Sequence, residues 1–315
     1  IVSAYQLYGD GSGLTNVGAA ATNAWIQDSD ANLVAGTGAG AALDSGNTCC
    51  NILIGCNAGN ALNTGDRNIA IGWKSGEALE SGYANTLIGT FAGDSVTTGF
   101  GNFMGGYNVG CNQIEADYNV FIGHVVAANR VVTGNCNIAI GRRTARNLLS
   151  GEANIFMGFY AAEGGLVSGG HNVVMGSYAA EDLSSGGCNV ILGYAAGCNN
   201  TTGGSNVAIG KYAMSNGVTT GDGNIAIGEN TLPALDSGAC NIALGCKSSY
   251  AITSGTNNIS LGRQSLFVNQ TGVDNVAIGH QAGYYNHRHY NVFIGHAAGK
   301  GSSAYYASNN VAIGS

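Results

Sequence analysis

A chain of 315 residues with 53 glycines, one proline (Pro233) and 9% charged residues departs from an ordinary soluble domain, in which about 25% of residues carry charge. The glycines follow no G-X-Y period, which excludes collagen. A hydrophobic content of 45% with so little charge excludes disorder, and no apolar run approaches the ~18 residues of a membrane span. The net charge of −7 argues against nucleic acid as a partner.

Residues 1–31 precede any repeat and are expected to form an N-terminal joint or attachment segment. Within them, Gly9-Asp-Gly-Ser-Gly13 lacks the register and the strand-turn-helix setting of a nucleophile elbow. Phosphate-loop and dinucleotide signatures are missing, and no cofactor is expected. Asn32-Leu-Val-Ala-Gly36 is a degenerate first copy of a motif, Asn-x-x-x-Gly, that then recurs to Gly314. Its asparagines are Asn51, Asn68, Asn85, Asn102, Asn119, Asn137, Asn154, Asn172, Asn189, Asn206, Asn224, Asn241, Asn258, Asn275, Asn291 and Asn310, spaced by 17 or 18 residues except for 16 and 19 at the last two gaps. Taking each Asn as position 0, the unit has Ile or Val at +1, Ile or Leu at +3, Gly at +4, a small residue at +7 and an apolar residue near +11. A second Gly stands three residues before twelve of these asparagines.

Seventeen residues with two glycine corners are too few for a helix pair and fit one coil of short strands stacked in parallel on its neighbours. The expected fold is all-β: a parallel β-solenoid, or β-roll, of about 17 coils over residues 32–315, rising roughly 80 Å at ~4.8 Å per coil. Side chains at +1 and +3 share a face and are expected to fill the coil interior. Those at +2 then face outward, yet they are apolar: Ala70, Ala139 and Ala208 among seven alanines, and Leu53, Phe121, Phe156 and Phe293 among the larger ones, with Ser260 the polar exception. A strand apolar on both faces is buried on both. The expectation is therefore a threefold assembly of parallel solenoids, or a second wall of the same chain. The repeated Asn reads as a structural ladder, each amide bonding to the backbone and to its counterpart one coil away.

Units such as Asn206-Val-Ala-Ile-Gly-Lys-Tyr-Ala and Asn224-Ile-Ala-Ile-Gly-Glu-Asn resemble the head repeats of trimeric autotransporter adhesins. The 17-residue unit, with Thr-Gly or Ser-Gly before Asn, is more similar still to repeats in phage tail fibres and related bacterial surface proteins. Tyr8-Gly-Asp-Gly-Ser-Gly-Leu-Thr-Asn-Val17 is similar to an element that precedes such repeats in marine phage fibres. The resemblance covers residues 8–17 and about 32–315. It implies a homotrimeric fibre, placed on a virion tail or at a cell surface, whose C-terminal chaperone is cleaved off. A chain that begins at Ile1 and stops mid-repeat at Ser315 is expected to be processed, trimmed or joined to other subunits.

Tyr160, Tyr178 and Tyr212 share position +6, with Tyr194 one place earlier in the intervening coil, and are expected to form a stripe. Tyr284, Tyr285, His287, His289, Tyr290, Tyr305 and Tyr306 form a second candidate contact cluster, near His280 and His296. Aromatic faces suit sugar rings or protein anchors, so a cell-surface glycan or protein receptor is the expected partner beside the chain itself. His124, His280 and His296, just after the repeat Gly, read as exposed residues rather than metal ligands. Cys50, Cys136, Cys188 and Cys240 each precede a repeat Asn. With the other five cysteines (Cys49, Cys56, Cys111, Cys198, Cys246) they read as small buried side chains, and no C-x-x-C suggests zinc. The carboxylate pairs Glu163/Glu181 and Glu77/Asp94 read as solvated charge on an exposed corner rather than catalytic acids. The sequence thus points to a non-enzymatic structural and adhesive fibre. A self-polymerising extracellular filament, stacked head to tail, and a polysaccharide-degrading tailspike stay open as other readings.

Overall fold

The computed structural model describes residues 26–301 and 308–314. It contains 18 strands and, among the described residues, no helix. Strand β1 (Ile26–Gln27) lies in the segment ahead of the repeats and pairs antiparallel with β2 (Leu33–Ala35). Each strand from β2 onward pairs in parallel with its successor, through β3 (Ile52–Ile54) and β4 (Ile69–Ile71) to β18 (Val311–Ile313). Equivalent positions lie side by side in every pairing, so Val207 faces Ile225 and Ile209 faces Ile227. The chain is a parallel β-solenoid. The degenerate copy at Asn32 is a full turn of it, supplying β2 and the first rung of the ladder.

The strand faces are the reverse of the sequence expectation. Position +2 points into the coil: Leu53, Ala70, Leu87, Phe121 and Phe156 are fully buried. Positions +1 and +3 point outward and are half-buried or exposed, with Ile88 and Met175 each 41% accessible. Alternation was read correctly, but hydrophobicity alone cannot say which apolar face is inside. Volume can. Position +8 is Gly or Ala wherever +2 is large and becomes Met214, Leu232 or Leu266 where +2 is Ala208, Ala226 or Ser260. A Cβ on Gly59 would lie 2.7 Å from Leu53 Cδ2, which shows how tightly the two positions share one space. The inward columns at +2, +7 and +11 close a narrow core, with Ala58 and Leu62 of the first full repeat fully buried. In three turns of 18 residues, Val132, Val167 and Thr219 take the inward place further along, each bridging to the preceding turn.

The apolar core is interrupted once. One buried cluster runs from Ala39 to Ile252 and another from Leu266 to Ala298. Between them Ser260 occupies the inward +2 position, its hydroxyl 2.7 Å from that of Ser248 and 2.6 Å from that of Ser249, while Ser248 also contacts Ser265 at 3.0 Å. Each hydroxyl thus has a partner, as buried polar groups require.

Each turn bends through left-handed backbone. The residue before Asn sits at φ near +60° (Arg67 57°, Cys136 59°), as does position +6 (Lys74 56°, Tyr178 57°). For non-glycine residues this costs about 1–2 kcal/mol each. At +4 the backbone reaches φ +134° at Gly72, and a Cβ there would lie 2.5 Å from the carbonyl oxygen of Gly89 in the next turn. Only glycine suits both demands.

The asparagines bind the turns together. Asn68 Oδ1 accepts from the backbone N–H of Asn85 at 3.0 Å and from its Nδ2 at 3.2 Å, and Asn85 Nδ2 also donates to the carbonyl of Gly99 at 2.8 Å. The same three bonds link Asn241 to Asn224 and Gly255, and Asn258 to Asn241 and Gly272. These asparagines are fully buried. The glycine three residues before Asn is therefore the acceptor of the preceding rung.

Asn241→Ala should lower stability by about 3 kcal/mol or more, because it strands the buried amide of Asn258 and the carbonyl of Gly255. Denaturant unfolding checks the magnitude, and hydrogen exchange at the Asn258 amide should accelerate. Gly72→Ala should be at least as damaging, and a neutral outcome in a melting experiment would contradict the contact geometry at that corner.

Candidate functional site

The corner after each strand is the richest surface in chemistry. Beyond the glycine at +4, position +5 projects into solvent and +6 lies half-buried beside it, so successive turns stack these side chains in register. Tyr160 stacks on Tyr178 with ring centroids 5.4 Å apart, Tyr178 meets Tyr194 at 6.0 Å, and Tyr194 meets Tyr212 at 5.5 Å. The column extends well past these four. Trp73, Phe91, Tyr107 and His124 follow one another at 4.7, 6.4 and 5.3 Å. The two stretches meet through arginines: Arg142 lies over Phe159 at 5.5 Å and Arg143 over Tyr160 at 4.8 Å, donating to the tyrosine oxygen at 2.9 Å. Lys211 lies over Tyr212 at 5.1 Å. The sequence reading singled out the tyrosines and set His124 apart as an exposed residue. The adjacency of +5, which holds Trp73, His124, Arg142 and Lys211, to the tyrosines' +6 was the signal that they form one edge.

The C-terminal candidates do not converge. Tyr284 belongs to a different column at +9, where Tyr250, Phe267 and Tyr284 stack at 5.0 and 4.8 Å, with Tyr285 4.6 Å from Tyr284 and Lys300 above it. His289 and Tyr290 stand at the corner before Asn291, 6.1 Å apart, and His289 Nδ1 accepts from the Val273 amide. His287 is half-buried. His280 and His296 stack on each other at 5.2 Å, on the corner that carries the long ring column. Tyr305 and Tyr306 lie outside the described residues. Among the described residues no three His, Cys, Asp or Glu side chains are placed to hold a metal ion.

The cysteines correct a second expectation. All nine are free; Cys50, Cys56, Cys136, Cys188 and Cys240 are exposed and the others half-exposed. Four of the five exposed thiols occupy the left-handed residue before Asn, which turns its side chain away from the core. Cys49 and Cys50 bring their sulfurs to 3.0 Å, and this contact holds the Cys49 thiol up at about 11. Burial, with Asp94 beside it, pushes Cys111 to about 11 as well.

The carboxylates are less solvated than expected. Glu163 is 9% accessible and pairs with Arg143 at 2.6 Å and Arg146 at 3.3 Å. Glu77 pairs with Lys74 at 3.0 Å. Asp94, one turn beyond Glu77, has a buried Oδ1 without a partner, and burial, reinforced by the Glu77 charge, raises its pKa to about 6. Burial together with Asp182 and Glu163 raises Glu181. Position +9, which carries these acids, is an inward-leaning shoulder rather than an open corner.

No family profile matches the chain, and neither a curated protein nor a solved structure matches it.

Asp94 gives a pH test. Its folded pKa lies above the unfolded value of 3.8, so its protonated form is favoured by folding. The corresponding stability is present below pH about 4 and is lost as pH rises through about 6. Asp94→Asn should raise the thermal midpoint at pH 7, and the difference from the parent protein should shrink as pH falls across that window.

Proposed function

We propose that the protein is the shaft of a homotrimeric fibre, a structural and adhesive element of a phage tail or bacterial surface, and not an enzyme. One observation carries this reading: the outward strand face is a pair of mostly Ile, Val and Leu columns running through the parallel turns, interrupted chiefly at Thr86, Phe103 and Gly105. The face that calls for a partner is thus the opposite of the one expected from sequence, but the need is the same. Exposed apolar area of such extent marks an interaction surface. Its occupant has to be equally long and straight, with the same ~4.8 Å period. A parallel copy of this chain satisfies all three conditions, and the resemblance to adhesin heads and tail fibres favours three copies about one axis.

Mechanically, the backbone ladder and the asparagine ladder give a stiff rod that holds contact surfaces away from a particle or cell. Binding of a surface glycan or protein would be multivalent, weak contacts being multiplied by symmetry.

Light scattering should give three times the chain mass of 31.7 kDa. Ile227→Lys with Ile278→Lys, on the outward face and clear of the core, should release monomers that keep their β-sheet spectrum. A monomeric parent protein would sink the proposal.

A further inference from the structure

The corner that carries the ring column also gathers charge of one sign. Positions +5 and +6 hold six of the 11 Lys and Arg residues, namely Lys74, Arg142, Arg143, Lys211, Lys247 and Arg263. They hold one of the 18 Asp and Glu residues, Glu229. Two positions in a repeat of 17 thus collect more than half of the strong cations of a chain whose net charge is −7. An acidic rod has one basic, aromatic edge.

Resting on the adhesive reading above for its setting, we propose that this edge, from Trp73 to Tyr212, binds an acidic polysaccharide laid lengthwise along the rod. The groups are in line because the turns are in register; from Lys74 to Lys211 is eight turns, about 38 Å. They are accessible: Trp73 is 48%, Tyr107 49% and Tyr194 46% exposed. Tyr194 stands nearly perpendicular to both neighbours, at 73° and 82°, so it breaks the stack instead of being covered by it. Glu163 neutralises Arg143 and Glu77 pairs with Lys74, whereas Arg142 and Lys211 project into solvent with no carboxylate within ion-pair distance among the described residues. The edge also lies past the glycine corner, off the apolar strand face.

Spacing selects the ligand class. Along the edge Lys74, the Arg142–Arg143 pair and Lys211 are four turns apart, about 19 Å, and the intervals are filled by rings. A nucleic-acid strand carries a phosphate at every nucleotide, and holding it calls for a denser run of cations than this acidic rod supplies. A polyuronate carries its carboxylates on a backbone of sugar rings, whose C–H faces suit aromatic contact.

The test uses the intact protein and fluorescently labelled oligomers of three kinds: alginate as the polyuronate, dextran as the neutral sugar and oligothymidylate as the nucleic acid, each followed by anisotropy at rising salt. Alginate should bind, weaken with salt, and outcompete both others. Arg142→Gln with Lys211→Gln should weaken alginate binding about tenfold or more and flatten its salt dependence. Trp73→Ala with Tyr194→Ala should weaken it by a similar factor and leave the salt slope unchanged. Arg130→Gln, an exposed cation off this edge, should change little. Alginate failing to bind at low salt, dextran or oligothymidylate binding as well as alginate, or Arg130→Gln weakening binding as much as the edge variants would each overturn the inference. The ligand series on unaltered protein decides the matter even where a double variant folds poorly. Light scattering on the same samples separates this from the fibre reading: a monomer that binds alginate through these residues keeps the edge and loses the trimer, and a trimer that ignores alginate does the reverse.

Discussion

From Asn32 to Asn291, the oxygen of each repeat asparagine accepts from the backbone amide of the next turn, out of reach of water. In most rungs it also takes that turn's side-chain nitrogen, which reaches on to a glycine carbonyl further along. Because these groups are buried, a turn that slipped by one residue would leave donors and acceptors unsatisfied at about 1–3 kcal/mol each. The ladder therefore holds the stacking register, and the register is what aligns everything else: the inward column that fills the core, the outward column of aliphatics, and the rings and cations at the corner. It also offsets the left-handed residues in every turn, which no isolated peptide of this sequence would hold. Turns of 17 and 18 residues coexist because the added residue is absorbed away from the rung, and the Asn206–Asn224 contact across an 18-residue turn is as short, at 2.8 Å, as those across shorter ones.

The period, the strands, the asparagine ladder and the glycine corner were all legible in the chain, since each is a residue type that recurs at one offset for one physical reason. The orientation of the strand was not. Ile69 and Ile71 are larger and more uniformly aliphatic than Ala70, and hydrophobicity ranks them as core; Ala70 is nonetheless inside, because +2 faces the +8 column across the coil and the two columns are never bulky in the same turn. That compensation between Phe156 and Ala162, or between Ala208 and Met214, is visible in the sequence only to a reader who compares two columns at once. The burial of Glu163 was hidden for a related reason. It depends on Arg143 and Arg146 from the preceding turn, and a single repeat does not contain both partners. The exposure of Cys136, Cys188 and Cys240 follows from backbone that is left-handed just before Asn, a conformation these residue types do not advertise.

The rod carries two kinds of surface. The outward strand face is aliphatic along most of its length, with Thr86, Phe103 and Gly105 the chief departures, and such near-monotony would suit a partner with the same repeat. The neighbouring corner varies from turn to turn, Trp73, Tyr107, Arg142 and Lys211 standing at equivalent places, and variety of this sort suits recognition. Because the architecture demands only that +5 point outward and that +6 tolerate a left-handed backbone, these positions are free to change without disturbing core or ladder. The scaffold thus separates the residues that make it stand from those that are free to vary.

The serine cluster around Ser260 gives the rod a seam. In an array where each turn contacts only its neighbours, cooperativity passes through the interface between adjacent turns. There, hydroxyl contacts replace the apolar contacts found elsewhere inside the coil, while the asparagine ladder and the outward aliphatic columns run on across it. The long apolar block and the shorter one beyond it are thus joined by everything except a shared greasy interior, and in section the rod is less a single beam than two spliced end to end.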